Sequence, residues 1–148
     1  MPEKKTIERA KRDKAQGKAP TTQAGEFVRE EMEHIRKGKH GARSTKQAIA
    51  IGLSKARRAG VNLPPPKKGT TSEATRKRAQ RELAKGQATK KAKPSAKRSQ
   101  ARRQALKRES RSVASKSALS KQAKQAAARR RARGKATSSS RSRGSKSK

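Results

Sequence analysis

Three groups of side chains have the types and spacing to do chemistry. The first is cationic. Arg43, Lys46, Lys55, Arg57 and Arg58 stand close together. A longer set follows: Arg76, Lys77, Arg78, Lys90, Lys91, Lys97, Arg98, Arg102, Arg103, Lys107, Arg108, Arg129, Arg130, Arg131 and Arg133. Ammonium and guanidinium groups at this density neutralise phosphates and displace counterions, a mode of nucleic-acid binding that reads no bases.

The second group is the run Gly-Lys-His-Gly-Ala-Arg-Ser-Thr at residues 38–45. It has the glycines of a phosphate loop but lacks the G-x-x-x-x-G-K-[ST] spacing and a preceding strand, so nucleotide hydrolysis is excluded. The third is His34 and His40 with Glu30 and Glu33. Glu30 and His34 share a helix face at i,i+4, but His40 falls in a loop and no second shell is evident. These residues therefore read as helix-surface charge, with no metal and no cofactor. No Ser/His/Asp or Cys/His arrangement has a scaffold to hold it, and the expectation is that the protein is not an enzyme.

The elements that position these groups are helical. Ser44 is a good N-cap and Gln47 completes a capping-box pattern. Ile49, Leu53 and Ala56 recur at helical spacing with Ala48 and Ile51 beside them. Gly60 can take the left-handed position after the last turn, with Val61 folding back. Residues 45–59 are thus a short amphipathic helix with a basic end. Residues 21–38 give a second helix, capped by Thr21 or Thr22 and stopped by Gly38. Glu26, Glu30, Glu31 and Glu33 load its first part, Arg36 and Lys37 its end, and Phe27, Val28, Met32 and Ile35 form a narrow apolar stripe. The two make an αα-hairpin.

The domain reading is a basic N-terminal segment at 1–20 with a weak helix from about Thr6 to Gln16, a helical hairpin at 21–63, a proline linker at 64–69, and a Lys/Arg/Ala/Ser-rich arm at 70–148. Pro64, Pro65 and Pro66 force an extended spacer. Charge changes there: residues 1–66 carry 16 basic and 7 acidic residues, residues 67–148 carry 29 and 3. In the arm, Thr70 and Glu73 pair as a cap before a helix at 74–85 closed by Gly86. Pro94 suits a helix start. The only larger apolar residues beyond it are Leu106, Val113 and Leu119, so residues 96–133 are expected to be mostly coil when free and helical once their charge is neutralised. The chain from Ala136 on reads as coil. The fold class is mostly α: a small helical hairpin with a long basic arm that is disordered or conditionally helical.

Composition narrows the partners. The formal net charge is +35 over 148 residues, and apolar residues make up 27%, against roughly 45–50% in globular domains. There is one Phe and no Tyr, Trp or Cys. Disulfides and thiolate metal sites are excluded. No run approaches the ~18 apolar residues of a membrane span, and the N-terminus lacks the apolar core of a secretory signal. A cytoplasmic, nucleoid location is the default.

The wording of the first 66 residues, Thr-Gln-Ala-Gly-Glu-Phe-Val-Arg-Glu-Glu-Met at 22–32 and Gly-Lys-His-Gly-Ala-Arg-Ser-Thr-Lys-Gln-Ala-Ile-Ala-Ile-Gly-Leu-Ser-Lys-Ala-Arg-Arg-Ala-Gly at 38–60, resembles a family of small basic bacterial proteins of unknown function. That resemblance brings no activity with it. The arm is similar in composition to linker-histone tails and bacterial histone-H1-like proteins, which implies DNA coating and assigns no residue.

The expected function is a histone-like, nucleoid-associated DNA-binding protein. The near absence of aromatics disfavours stacking on single-stranded bases, so duplex DNA is the expected partner. The alternatives are an RNA- or ribosome-associated basic factor, and an interaction module with a nucleic-acid-binding tail that self-associates or docks a protein through Phe27, Met32, Ile49 and Leu53. A membrane partner is not expected, because the arm lacks a large apolar face.

Overall fold

A computed structural model describes residues 2–88 and 95–143, with side chains described through 134. The described chain is helical, in the order α1 (Lys4–Ala15), α2 (Pro20–Arg36), α3 (Thr45–Ala59), α4 (Glu73–Gln87), α5 (Ala96–Lys107), a 3-10 turn at Ser112–Ala114, and α6 (Lys116–Arg143). No strand occurs among the described residues.

Local signals fix α3 as expected. Ser44 is the N-cap and its side chain accepts from the Gln47 N–H. Gln47 reaches back to the Arg43 N–H at 2.7 Å, one residue before the cap itself. At the other end Gly60 adopts φ 101°, and Val61 N–H returns to the Ala56 carbonyl at 3.1 Å. This is the Schellman pattern that a glycine after the last turn permits. The start of α2 departs from expectation. Pro20 occupies the first turn and neither Thr21 nor Thr22 caps. Proline at N1 supplies a preset φ and lacks a donor the helix would leave unused there.

α2 packs most extensively on α3, α1 docks on α2, and α4 docks on α3. Space between α2 and α3 is set by Gly52, where an added Cβ would stand 2.7 Å from the Val28 Cα. Two apolar clusters result. Phe27, Ala10, Ala24, Ala56, Val61 and Leu63 form one, with Ile7, Leu53 and Ala59 at its edge. Met32, Ile35, Ala42, Ala48 and Ala114 form the other, flanked by Val28, Ile49, Val113 and Leu119. α1 is therefore integrated by Ile7 and the buried Ala10 rather than merely frayed beside the hairpin.

The arm differs most from expectation. Residues 96–133, expected to be coil when free and helical once neutralised, form α5 and the first part of α6, and the backbone of α6 runs through Ala136 to Arg143, where coil is expected. α4 begins after Ser72, not Thr70, and contains Gly86 instead of ending there. Between α5 and α6 the chain turns back onto the hairpin. Gly41 and Ala42 donate their N–H groups to the carbonyls of Leu106 and Ser110 at 2.8 and 3.0 Å. Thr45 Oγ1 donates to the Val113 carbonyl at 2.8 Å. Val113 and Leu119, for which local periodicity offers no face to bury, thus find one in α2 and α3. Pro94 lies outside the described residues.

Candidate nucleic-acid interface

The structure sorts the sequence-derived cations into three groups. The first serves the fold. Arg57 is buried, with Nε donating to the Leu63 carbonyl at 3.2 Å and Nη2 to the Pro64 carbonyl at 3.3 Å. Burial lowers its pKa, opposed by the charge of Glu82. Lys55 Nζ binds Glu31 Oε2 at 2.6 Å, and that carboxylate is itself buried. Both of these cations, read from sequence as phosphate contacts, are engaged in bonds within the chain. The reason is tertiary. The chain at Leu63 and Pro64 folds against Arg57, and the carbonyl of buried Leu63 needs a donor once out of water.

The second group, exposed except for the half-buried Arg76, is matched by acids. Arg58 pairs with Glu82 at 3.2 Å and Arg78 with the same carboxylate at 3.7 Å. Arg76 pairs with Glu73 at 3.3 Å, and Arg43 with Glu109 at 3.8 Å. Such surface pairs are weak and open readily to a competing phosphate.

The third group lies on the arm. Lys97, Arg98, Arg102, Arg103, Lys107 and Arg108 of α5 and its end are exposed, as are Arg129, Arg130, Arg131 and Arg133 of α6, together with Lys46 and Lys77. At 100° per residue the cations of α5 are spread around the helix rather than confined to one stripe. Arg133 also donates to the Gly69 carbonyl at 3.2 Å. From 95 to 134 the sequence offers one acid, Glu109, and it faces Arg43. Lys90 and Lys91 lie outside the described residues.

The acids of the front half are mostly engaged. Arg9 pairs with Glu26 at 3.6 Å, Lys18 with Asp13 at 2.7 Å, and Arg29 with Glu33 at 3.4 Å. Glu3 sits between His34 Nε2 at 2.9 Å and Lys39 Nζ at 3.1 Å. Hydrogen bonds from His34 and then Lys39 hold the Glu3 carboxyl down at about 2, well below the usual carboxylate range.

The side chains expected to meet a protein partner are placed differently. Phe27 and Met32 are 1% and 4% exposed and belong to the core. Ile49 and Leu53 pack against the two clusters. The apolar stripe is spent inside the chain, on α1 and on the arm residues that return to it. Among the described residues no helix is long and apolar enough to cross a membrane.

Glu31 is the residue that local pattern misses. By sequence it belongs with the solvent-facing acids of α2, yet it lies beneath His40 with a side chain 1% exposed. Its position three residues before His34 is legible; the return of the 37–44 loop is not.

Residues 18–68 match the model of a family described as a family of unknown function (DUF6496). The matched stretch takes in α2, the loop, α3 and the proline segment. No curated protein and no solved structure matches the chain.

Proposed function

We propose that this protein binds nucleic acid along the phosphate backbone without base readout, with duplex DNA the main partner, as a histone-like, nucleoid-associated protein. The observation that carries this reading is the mismatch of charge on the arm. From 95 to 134 its lysines and arginines are exposed around α5 and α6, and a single acid, Glu109, accompanies them. A polycation of this kind recruits a polyanion, and the gain comes from released counterions. α2 and α3 form a folded base that positions the arm. The chain has no Tyr or Trp and one Phe. That Phe is buried, which leaves no aromatic platform for single-stranded bases.

The test is a titration of full-length protein with duplex DNA, single-stranded DNA and RNA at two salt concentrations. Binding through 6–10 phosphates loses ~10³–10⁵ in affinity between 50 and 200 mM salt. Duplex DNA should bind most tightly, with little dependence on its sequence. Preference for RNA would favour the ribosome-associated alternative. Failure to bind either polymer at cell-like ionic strength would overturn the proposal.

A further inference from the structure

We infer that Glu31, His34 and His40 form a binding site for a transition-metal dication, with zinc the best match, where α2 meets the loop before α3. One ring nitrogen of each histidine and a Glu31 carboxylate oxygen lie within 4.8 Å of one another. Two imidazoles and a carboxylate are a known three-ligand zinc set. This inference stands apart from the phosphate-binding reading.

The strongest support is an unmet need at Glu31. Its side chain is 1% exposed, and Lys55 takes Oε2 at 2.6 Å. Oε1 is buried without a hydrogen-bond partner. His40 Nε2 lies 3.2 Å from it. The protonation of that ring follows from its other nitrogen. His40 Nδ1 lies 3.0 Å from the Gly41 carbonyl oxygen, which only accepts, so Nδ1 carries the proton. A neutral imidazole then presents a lone pair at Nε2. When the ring is neutral, two electron-rich atoms face each other, with Oε1 buried, and a cation between them turns that repulsion into coordination.

The spacing fits. Zinc bonds of ~2.0–2.1 Å in a tetrahedron keep the donor atoms roughly 3.3 Å apart. Glu31 Oε1 and His40 Nε2 already stand at about that separation, 3.2 Å. The two imidazoles meet edge to face, with centroids 6.2 Å apart at 83°. Each histidine has an outer partner of the kind that orients a metal ligand: the Gly41 carbonyl for His40, and for His34 the Glu3 carboxylate, 2.9 Å from Nε2. Bound metal would fasten the 37–44 loop to α2.

The test uses full-length protein stripped with chelator and kept in high salt to remove nucleic acid. Zn²⁺ is titrated calorimetrically, Co²⁺ by its visible absorption, and the two histidine rings are followed by NMR. One equivalent of Zn²⁺ should bind, Co²⁺ should give tetrahedral bands that Zn²⁺ abolishes, and both rings should shift at the same stoichiometry. His40→Asn, checked for helix content, should weaken binding by at least the roughly 10–100-fold that follows loss of even an outer partner. The inference is overturned if micromolar Zn²⁺ leaves both rings unmoved, as it would were His40 an imidazolium paired with Glu31. It is equally overturned if the double variant His34→Asn/His40→Asn binds as tightly as the parent.

Discussion

Arg36 donates from Nε to the carbonyl oxygen of Ala114, 78 residues further along the chain, at 2.9 Å. This bond joins the end of α2 to the turn between α5 and α6. Around it lie the Thr45–Val113 bond and the pair of backbone bonds from Gly41 and Ala42. The basic arm is thus tied to the hairpin at its middle. Ala114 is wholly buried there, next to Met32 and Ile35.

Ala114→Asp should accordingly destabilise the hairpin, although position 114 lies far from it in sequence. A buried carboxylate without a partner places the cost at about 2–4 kcal/mol. Urea denaturation followed by circular dichroism measures it. Hydrogen exchange should speed up in α2 and α3. Unchanged protection there would mean that the 106–119 segment does not support the hairpin.

Gly52→Ala sets two effects against each other. Alanine is favoured in a helix by about 1 kcal/mol over glycine. The new methyl group, however, would meet the Val28 backbone at 2.7 Å, and overpacking of that kind costs about 1–3 kcal/mol. The backbone of α2 yields less readily than a side-chain tip. The net result should be a lower urea midpoint. A raised midpoint would show that α2 has room to move away from α3 at this crossing.

Arg57→Met tests the division of labour among the cations. It removes both hydrogen bonds to the Leu63 and Pro64 carbonyls, and the carbonyl of buried Leu63 left unpaired costs about 1–3 kcal/mol. Thermal stability should fall while duplex affinity at fixed salt stays within twofold. A large drop in affinity in a variant that remains folded would return Arg57 to the interface.

The triple variant Arg129→Gln/Arg130→Gln/Arg131→Gln should do the reverse. These side chains are exposed, away from both apolar clusters. Stability should hold, and the slope of log K against log salt should become shallower by up to about 0.9 for each phosphate no longer neutralised. An equal reduction in affinity at every salt concentration would argue against counterion release as the driving force.

What is legible in the sequence is local. Ser44, Gln47, Gly60 and Val61 mark the two ends of α3 through bonds spanning a few residues, with Gln47 reaching one residue past the cap. Lys55, Arg57 and Glu31 escape such reading because their surroundings come from segments distant in the chain. The docking of residues 106–119 is hidden for another reason. Hydrophobic patterning is dominated by large apolar side chains, of which the arm has few. Much of the interior is instead alanine: Ala24, Ala42, Ala48, Ala56 and Ala114 are each 0% exposed. Their contribution is close approach of neighbouring segments rather than area per residue, and hydrophobic periodicity gives them little weight. The candidate interface is legible as composition, whereas which cations remain outside becomes clear only with the fold.

An interior lined by methyl groups reverses the usual tolerance of a protein core. Where large side chains fill the centre, trimming them leaves holes and most damage comes from removal. Here little can be trimmed at those five positions, and damage comes from growth. A deep mutational scan would find serine and glycine accepted more often than leucine or phenylalanine there, a pattern ordinarily associated with tightly crossed helices in lipid.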